Sequence, residues 1–400
     1  MNTASGGPQR PAPNTVLVHG LDAGLAPPDW PPLQLADLQA LAERVPALQG
    51  ALRILWRSPR PFASAARVRT PGGEVFVKRH HRRVRSVASL AEEHAFLAHL
   101  RPRAVSVPTL IADTSGQTAL GVGDWTYEVH APAPGVDAYR EDHSWTPVRS
   151  ESHAWALGRT LAQLHAAAAG YDAPARSASP LQTSFAVVGE SAFAPALERF
   201  VAARPALAQY LDLNGGLVPI IEVLGPLHAP LVPLLPALPP LWVHNDWHAS
   251  NLFWTDRSPE ARVRAVIDFG LCNRGCAVVD LATALERNTL AWLQPQARAG
   301  EGNADIGRLP LALAILEGYF SLRPLSGAER LALPLLLPLC HVEFALSEVD
   351  YFHGVLGNAT NARLAHPDFL LGHPRWFAGR HGQDYLAGLR QWLRAARNSA

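Results

Sequence analysis

The sequence predicts an α+β chain in two lobes: a small antiparallel β lobe with one helix, then a larger, mostly helical lobe. Three observations predict it. Three short runs between residues 51 and 78 alternate apolar and polar side chains at the strand period. From about residue 131 the apolar period becomes helical. Within that second part, the polar clusters "VHNDWHASNLF" and "VIDFG" interrupt short strand-like runs. The resulting division is an N-terminal arm over 1–50, a first lobe over 51–130 and a second lobe over 131–400.

The elements follow in order. Residues 1–50 are rich in Pro, Ala and Gly, a loose arm with one short helix within "PPLQLADLQALAERV". Strands are expected at 51–57, 64–69 and 74–78, with "TPGG" as the turn between the last two and Gly72 and Gly73 serving that hairpin. "SVASLAEEHAFLAHLR" reads as a helix with Ser86 near its start. "PTLIADT" and "DWTYEVH" complete a five-strand antiparallel sheet. In the second lobe the helical period marks 151–168, 191–203, 279–293, 308–322, 327–352 and 383–397, with a Pro-rich approach at 225–240.

Composition narrows the function classes. Of 400 residues 48% are hydrophobic, enough for a large core, and the net charge is +1. That balance gives no broad attraction to nucleic acid or to an anionic membrane. The apolar runs "LPLALAIL" and "LALPLLLPLC" fall short of the roughly 20 residues of a membrane span. No basic start with an apolar core opens the chain, so no signal peptide is expected. Cys272, Cys276 and Cys340 have no metal-like spacing and are read as reduced thiols of a cytoplasmic protein.

The chemistry concentrates in His244, Asp246 and Asn251, followed 17 positions later by Asp268. Two carboxylates and a carboxamide at successive strand ends are explained by convergence on a cation. Their oxygens are hard ligands suited to Mg2+, which is commonly shared with substrate phosphates. With Asn251 and Asp268 on the metal, Asp246 remains to accept a proton, the division of labour of phosphoryl transfer.

This H-x-D-x-x-x-x-N, then D-F-G arrangement resembles the catalytic and metal loops of the protein-kinase-like fold. It looks most like the aminoglycoside phosphotransferase and choline kinase superfamily. "LAEEHAFLAHL", "HNDWHASNLFW" and "GYFSLRPL" are nearest its homoserine-kinase-type and stress-response-kinase branches. The usual loop is H-G-D; here the second position is Asn245. The resemblance implies a bilobal kinase fold that binds ATP and Mg2+ between its lobes. It makes Asp246 the base that orients or deprotonates an acceptor hydroxyl, and Asn251 and Asp268 the metal ligands. His244 supports the loop from behind. Asp280 matches a position beneath that loop, with a helix N-cap as its alternative reading.

Lys78, the only lysine among 35 basic residues, ends the strand "EVFVK". By resemblance it contacts the nucleotide phosphates, with a helix acid as partner: Glu93 in the register E-x-x-x-L-x-x-L, preferred over Glu92. A compact ammonium fits between carboxylate and phosphate oxygens where a planar guanidinium does not. The arginines and histidines of 79–85 read as a solvated loop without aromatic interleaving. No G-x-G-x-x-G is present; backbone N–H groups of Phe62, Ala63, Ser64 and Ala65 are expected to cap phosphates. By analogy with the fold, Glu128 and His130 present backbone groups to adenine.

The acceptor is expected to be a small-molecule hydroxyl compound: an amino alcohol, a hydroxy-amino acid or an aminoglycoside-like molecule. The near-neutral charge argues against a polycationic aminoglycoside. Expected lining residues are Trp247, His248, Glu343 and Asp350, the last two seven apart on a helix face with Ser347. Trp292, Tyr319, Tyr351, Phe352, Trp376 and Phe377 are candidates for an aromatic cage or for core. The competing readings are a protein Ser/Thr kinase and a non-catalytic pseudokinase.

Overall fold

The computed structural model describes residues 17–21, 24–177, 179–293 and 305–396. A short pair, β1 (Val18–His19) and β2 (Leu25–Ala26), and helix α1 (Leu35–Ala42) lead into the first lobe. Its sheet has β3 (Arg53–Arg57), β4 (Ser64–Thr70), β5 (Gly73–His81), β6 (Leu120–Val122) and β7 (Trp125–His130), all antiparallel, in the order β3-β4-β5-β7-β6. Gly73, at φ 129°, closes the β4–β5 hairpin in a conformation that glycine alone adopts readily. Helix α2 (Val87–Leu100) follows β5, and its first turn is capped by Ser86, whose Oγ accepts from Ser89 N.

Three expectations about this lobe are corrected. The run 108–114 is not a strand. Only Leu110 bridges to His130, because Asp113 Oδ1 accepts from Ser115 and Gln117 and folds the chain into a turn. The fifth strand is β6 instead. The arm is not loose over residues 33–48: Leu33, Leu38, Leu41, Val45 and Leu48 pack with Val68, Val77 and Val129 in one core cluster. Residues 79–81 are not a solvated loop, because β5 continues through them. Arg79 is buried, bonded to Pro31 O and 3.0 Å from Asp37, and its guanidinium lies 4.1 Å from the Trp125 ring centroid. Arg85 is buried too; Arg82 and Arg83 alone of that run's arginines stay exposed.

The second lobe holds α3 (Glu151–Ala168), α4 (Phe193–Ala202), α5 (Pro205–Leu213) and α6 (Val218–His228). Two antiparallel pairs follow, β8 (Pro240–Val243) with β11 (Asn273–Cys276), and β9 (Leu252–Trp254) with β10 (Val263–Val266). Then come α7 (Ala277–Thr289), α8 (Leu309–Phe320), α9 (Gly327–Leu336), α10 (Val342–Val349), α11 (Ala359–Arg363), α12 (Gly372–Ala378) and α13 (Arg380–Ala395). Helices α3 and α8 cross at two glycines. A Cβ on Gly158 would lie 2.0 Å from Ile315 O, and one on Gly318 2.0 Å from Trp155 O. Every residue of α7 is buried.

The helix expected over 327–352 is broken at 337–341 and runs on past α10 as a π-helical turn, Asp350–Val355. Helices α5, α11 and α12 lie outside the helical periods of the sequence, and α6 overlaps only the Pro-rich approach. That approach is helical: α6 continues as a 3-10 stretch, Ala229–Ala237, whose Pro233 and Pro236 lack the N–H groups an α-helix needs. Together Val218–Ala237 form a 20-residue segment of mean hydropathy 1.6, longer than the apolar runs noted in the sequence, and by length and composition alone enough to cross a bilayer. Ile220, Leu224 and Leu231 on it pack into the main core. That core also takes Phe96, Leu97 and Leu100 of α2, so this helix ties the first lobe to the second.

Candidate active site

A cleft of about 480 Å3 separates the lobes. Lys78, Asp246, Asn251 and Asp268 all line it. On β5 the strand alternation sends Lys78 and His80 into the cleft side and Arg79 and His81 to the opposite face, where His81 stacks on Trp30 at 4.7 Å.

Asp246 sits on a loop held from beneath. Asp280, fully buried on α7, accepts from His244 N (2.9 Å), Asn245 N (2.8 Å) and His165 Nε2 (3.0 Å). It is not the helix cap; Cys276 holds the N-cap position. His244 is also fully buried. It bonds Ile267 O through Nε2 and accepts from Asp246 N through Nδ1. Burial lowers its imidazole below the ordinary range and keeps it neutral, as a ring that both donates and accepts must be. Asn245 has φ 63°, which explains the glycine usual at this position and why asparagine can replace it.

Asn251 Nδ2 donates to Asp246 O (2.9 Å) and Oδ2 (3.0 Å), leaving its Oδ1 as the ligand atom it offers. Asp246 Oδ1 is bonded to Arg287 and lies 3.5 Å from His248 Nε2. Burial pushes His248 down to about 3. Asp268 adopts a left-handed conformation, φ 57° and ψ 70°, that turns the chain at the end of β10.

Lys78 Nζ is 2.8 Å from Asp268 Oδ1. Asp268 keeps 38% of its side-chain surface open, but that surface faces the enclosed cleft, so burial still acts on it. Burial raises its carboxyl; the Lys78 ammonium, by charge and hydrogen bond, outweighs this and holds it well below the carboxylate range. Burial would lower Lys78, and Asp268, Glu128 and Glu93 together raise it instead.

Glu93 is therefore a field on Lys78 and not its hydrogen-bonded partner. Its Oε2 lies 3.9 Å from Arg176, which also stands 3.6 Å from Glu92 and donates to Gly270 O and Cys272 O. Arg176 thus links α2 to the D-F-G turn, a role with no local sequence signal.

Other expected residues move. The turn ends before Ser64 and Ala65, which pair in β4 with Arg79 and Lys78; Ser64 Oγ accepts from Leu33 N, away from the cleft. Phe62, Ala63 and Ala65 line the cleft, Ala65 from within β4, and the Phe62 ring meets Tyr351 of the second lobe at 5.6 Å. Glu128 and His130 spend their backbones in the sheet, opposite Lys78 and Phe76; Ala131, Pro132 and Ala133 of the connector line the cleft, with Ala131 N donating to Thr109 O at 2.8 Å. The Glu128 side chain is buried and accepts from His80 (3.1 Å), His94 (3.1 Å) and His130 (2.7 Å). Trp247 is fully buried against His244 rather than lining the cleft. Glu343 accepts from Ser184 N and Oγ, Val187 N and Val188 N and anchors that loop. Asp350 lines a separate cavity with Arg83 and Arg204. Ser347 turns inward onto Phe344 O. The six candidate cage aromatics lie outside the cleft; Trp145 and Phe344 line it instead.

Arg60, Arg287 and Glu348 also line the cleft, beyond the residues the sequence singles out. Arg60 donates to Asp142 O (3.2 Å) and Ser144 Oγ (3.1 Å), closing the β3–β4 turn onto the second lobe. Arg287 falls seven residues after Asp280 on α7, two turns on and so on one face, a spacing legible in "VVDLATALERN". Glu348 is five positions from Glu343, so α10 turns it to another face. It shares that face with Phe344, four residues earlier, and both line the cleft.

Residues 62–323 match the phosphotransferase enzyme family. The chain belongs to that family. Among curated relatives of this phosphotransferase is a homoserine kinase of Gluconobacter oxydans, 27% identical over 288 residues, covering 70% of this chain and 77% of the relative. Another is a homoserine kinase of Xanthobacter autotrophicus, 31% identical over 260 residues, covering 64% and 68%. Among solved structures, a microcompartment-associated aminopropanol kinase aligns with a TM-score of 0.54 at 19% identity, over 91% of this chain and 97% of its own. An amicoumacin kinase solved with AMP-PNP and Ca2+ aligns at 0.51 and 15% identity, over 83% and 92%. These alignments show the kinase-like fold, and the phosphotransferase is of the small-molecule kinase type.

Proposed function

We propose that this phosphotransferase moves the γ-phosphoryl group of ATP, with Mg2+, to a hydroxyl of a small amine-bearing alcohol. One observation carries the reading: a single cleft gathers Lys78 with Asp268, and Asp246 with Asn251. Lys78 holds nucleotide phosphates. Asp268 and Asn251 Oδ1 form a hard oxygen donor pair that suits Mg2+, and their fit rests on a carboxyl kept ionised and an amide whose nitrogen is already committed. Bound there, the ion neutralises charge on the phosphates. Asp246 orients the acceptor hydroxyl and takes its proton. Its bond to Arg287 fixes the carboxylate's orientation, which suits a reaction where positioning outweighs proton abstraction.

The amine preference rests on Glu348. Fully shielded, it lines the cleft, and neither carboxylate oxygen has a hydrogen-bond partner among the described residues. Burial holds Glu348 protonated in the empty cleft, and a cationic group on the acceptor displaces that proton and satisfies the carboxylate. The aminopropanol and homoserine kinases named above fit the same class. The test is a panel of alcohols with and without an amine, assayed for Mg-ATP turnover and phosphorylated product. Turnover is expected with the amine-bearing members. ATP binding without turnover on any acceptor, or label appearing on protein instead, contradicts the reading.

A further inference from the structure

Beneath the cleft, three helical elements bring Glu286, His341 and His373 together. Glu286 lies on α7, His341 at the start of α10 and His373 on α12. All three are buried, at 1%, 4% and 4% exposure. Glu286 Oε1 is 3.1 Å from His373 Nδ1 and 3.8 Å from His341 Nδ1, and the three ligand atoms lie within 4.8 Å of one another. Two ligands on a tetrahedral ion with bonds of about 2.0–2.1 Å stand roughly 3.4 Å apart, which these separations bracket.

A second cluster shows what a completed network looks like. Around Glu128, each imidazole Nε2 reaches a carboxylate oxygen at 2.7–3.1 Å, and His94 Nδ1 meets Thr118 Oγ1. Nothing is left to explain there. Around Glu286 the reverse holds: Glu286 Oε1, His341 Nδ1 and Nε2, and His373 Nδ1 all lack a hydrogen-bond partner among the described residues. Buried polar atoms are nearly always satisfied. The neighbouring Arg287 does not serve, because it is committed to Asp246 and its Nε stands 4.0 Å from Glu286 Oε2. Packing meanwhile fixes both rings: His373 stacks on Trp292 at 3.8 Å, and His341 meets Trp145 edge-on at 5.1 Å.

We infer that Glu286, His341 and His373 bind a divalent transition-metal ion, zinc by its donor preference, at a structural site separate from the cleft. Two imidazoles and one carboxylate are a borderline donor set that suits zinc and disfavours Mg2+ or Ca2+. The ion supplies the partner that Glu286 Oε1, His373 Nδ1 and one ring nitrogen of His341 lack, and offsets the buried charge of Glu286. It cross-links α7, which also carries Asp280 and Arg287, to the C-terminal helices. With no ligand near the surface, the ion enters as the chain folds.

The test uses the full chain, expressed without a histidine tag in zinc- or cobalt-supplemented medium. About one zinc per wild-type chain is expected by elemental analysis, and a tetrahedral N/O absorption band from the cobalt form. His341→Gln and His373→Gln should each drop the metal below about 0.1 per chain, while Asp268→Asn keeps it. Less than about 0.1 of any transition metal on the wild type, retention in the double histidine variant, or loss in Asp268→Asn overturns the assignment. Should the histidine variants not fold, wild-type stoichiometry and the cobalt spectrum decide alone.

Discussion

Lys78 Nζ and Asp268 Oδ1, separated by 190 positions in sequence, meet at 2.8 Å across the cleft. The pair joins a strand of the first lobe to a strand end of the second. In the function proposed above, it places a compact cation where nucleotide phosphates and a metal-binding carboxylate would share space.

Lys78→Arg keeps the charge and changes the shape. The wider guanidinium cannot approach Asp268 and leave room for a phosphate oxygen. We expect kcat/KM for ATP to fall about 10- to 100-fold, or roughly 1.4–2.7 kcal/mol. Steady-state kinetics at saturating acceptor check this; near-wild-type turnover contradicts the shape argument.

Asp280→Asn tests the floor of the loop. The buried carboxylate serves three donors, the N–H groups of His244 and Asn245 and the His165 ring. Asparagine offers one acceptor oxygen and adds an NH2 with nowhere to donate. A loss of about 2–4 kcal/mol is expected in urea unfolding.

Glu348 gives a pH signature. Burial pushes its carboxyl up from an ordinary 4.5 to about 8, with Arg287 opposing and Glu286 reinforcing. Between those values the native protein holds a proton that the unfolded chain has released. Stability therefore falls as pH rises through that window. Glu348→Gln should flatten this slope in urea midpoints at pH 5 and pH 8, and should raise KM for an amine-bearing acceptor. Parallel profiles for wild type and variant contradict the burial argument.

The sequence reveals what is local. The fold class, the helices α3, α7, α8 and α13, and the loop from His244 to Asn251 are visible because period and spacing are local properties. The ends of β5 and the true fifth strand are not, because Asp113's turn and the N-terminal packing on Arg79 are decided by tertiary contacts. The same holds for partners. Sequence proximity pairs Lys78 with the nearby acid Glu93, yet Asp268 reaches it from the other lobe. On α10 spacing alone puts Glu343 and Asp350 on one face. Helical phase sends Glu343 to a loop anchor and Glu348 to the cleft, and the π-turn after Val349 carries Asp350 away.

The central claim is that Asp246 aligns an acceptor hydroxyl for phosphoryl transfer from ATP held by Lys78 and Asp268. The most direct measurement is Mg-ATP turnover by Asp246→Asn with a productive acceptor, alongside ATP affinity by calorimetry. The account predicts a fall in kcat of about 10²- to 10⁴-fold with ATP affinity nearly unchanged. Turnover within a few-fold of wild type would contradict it.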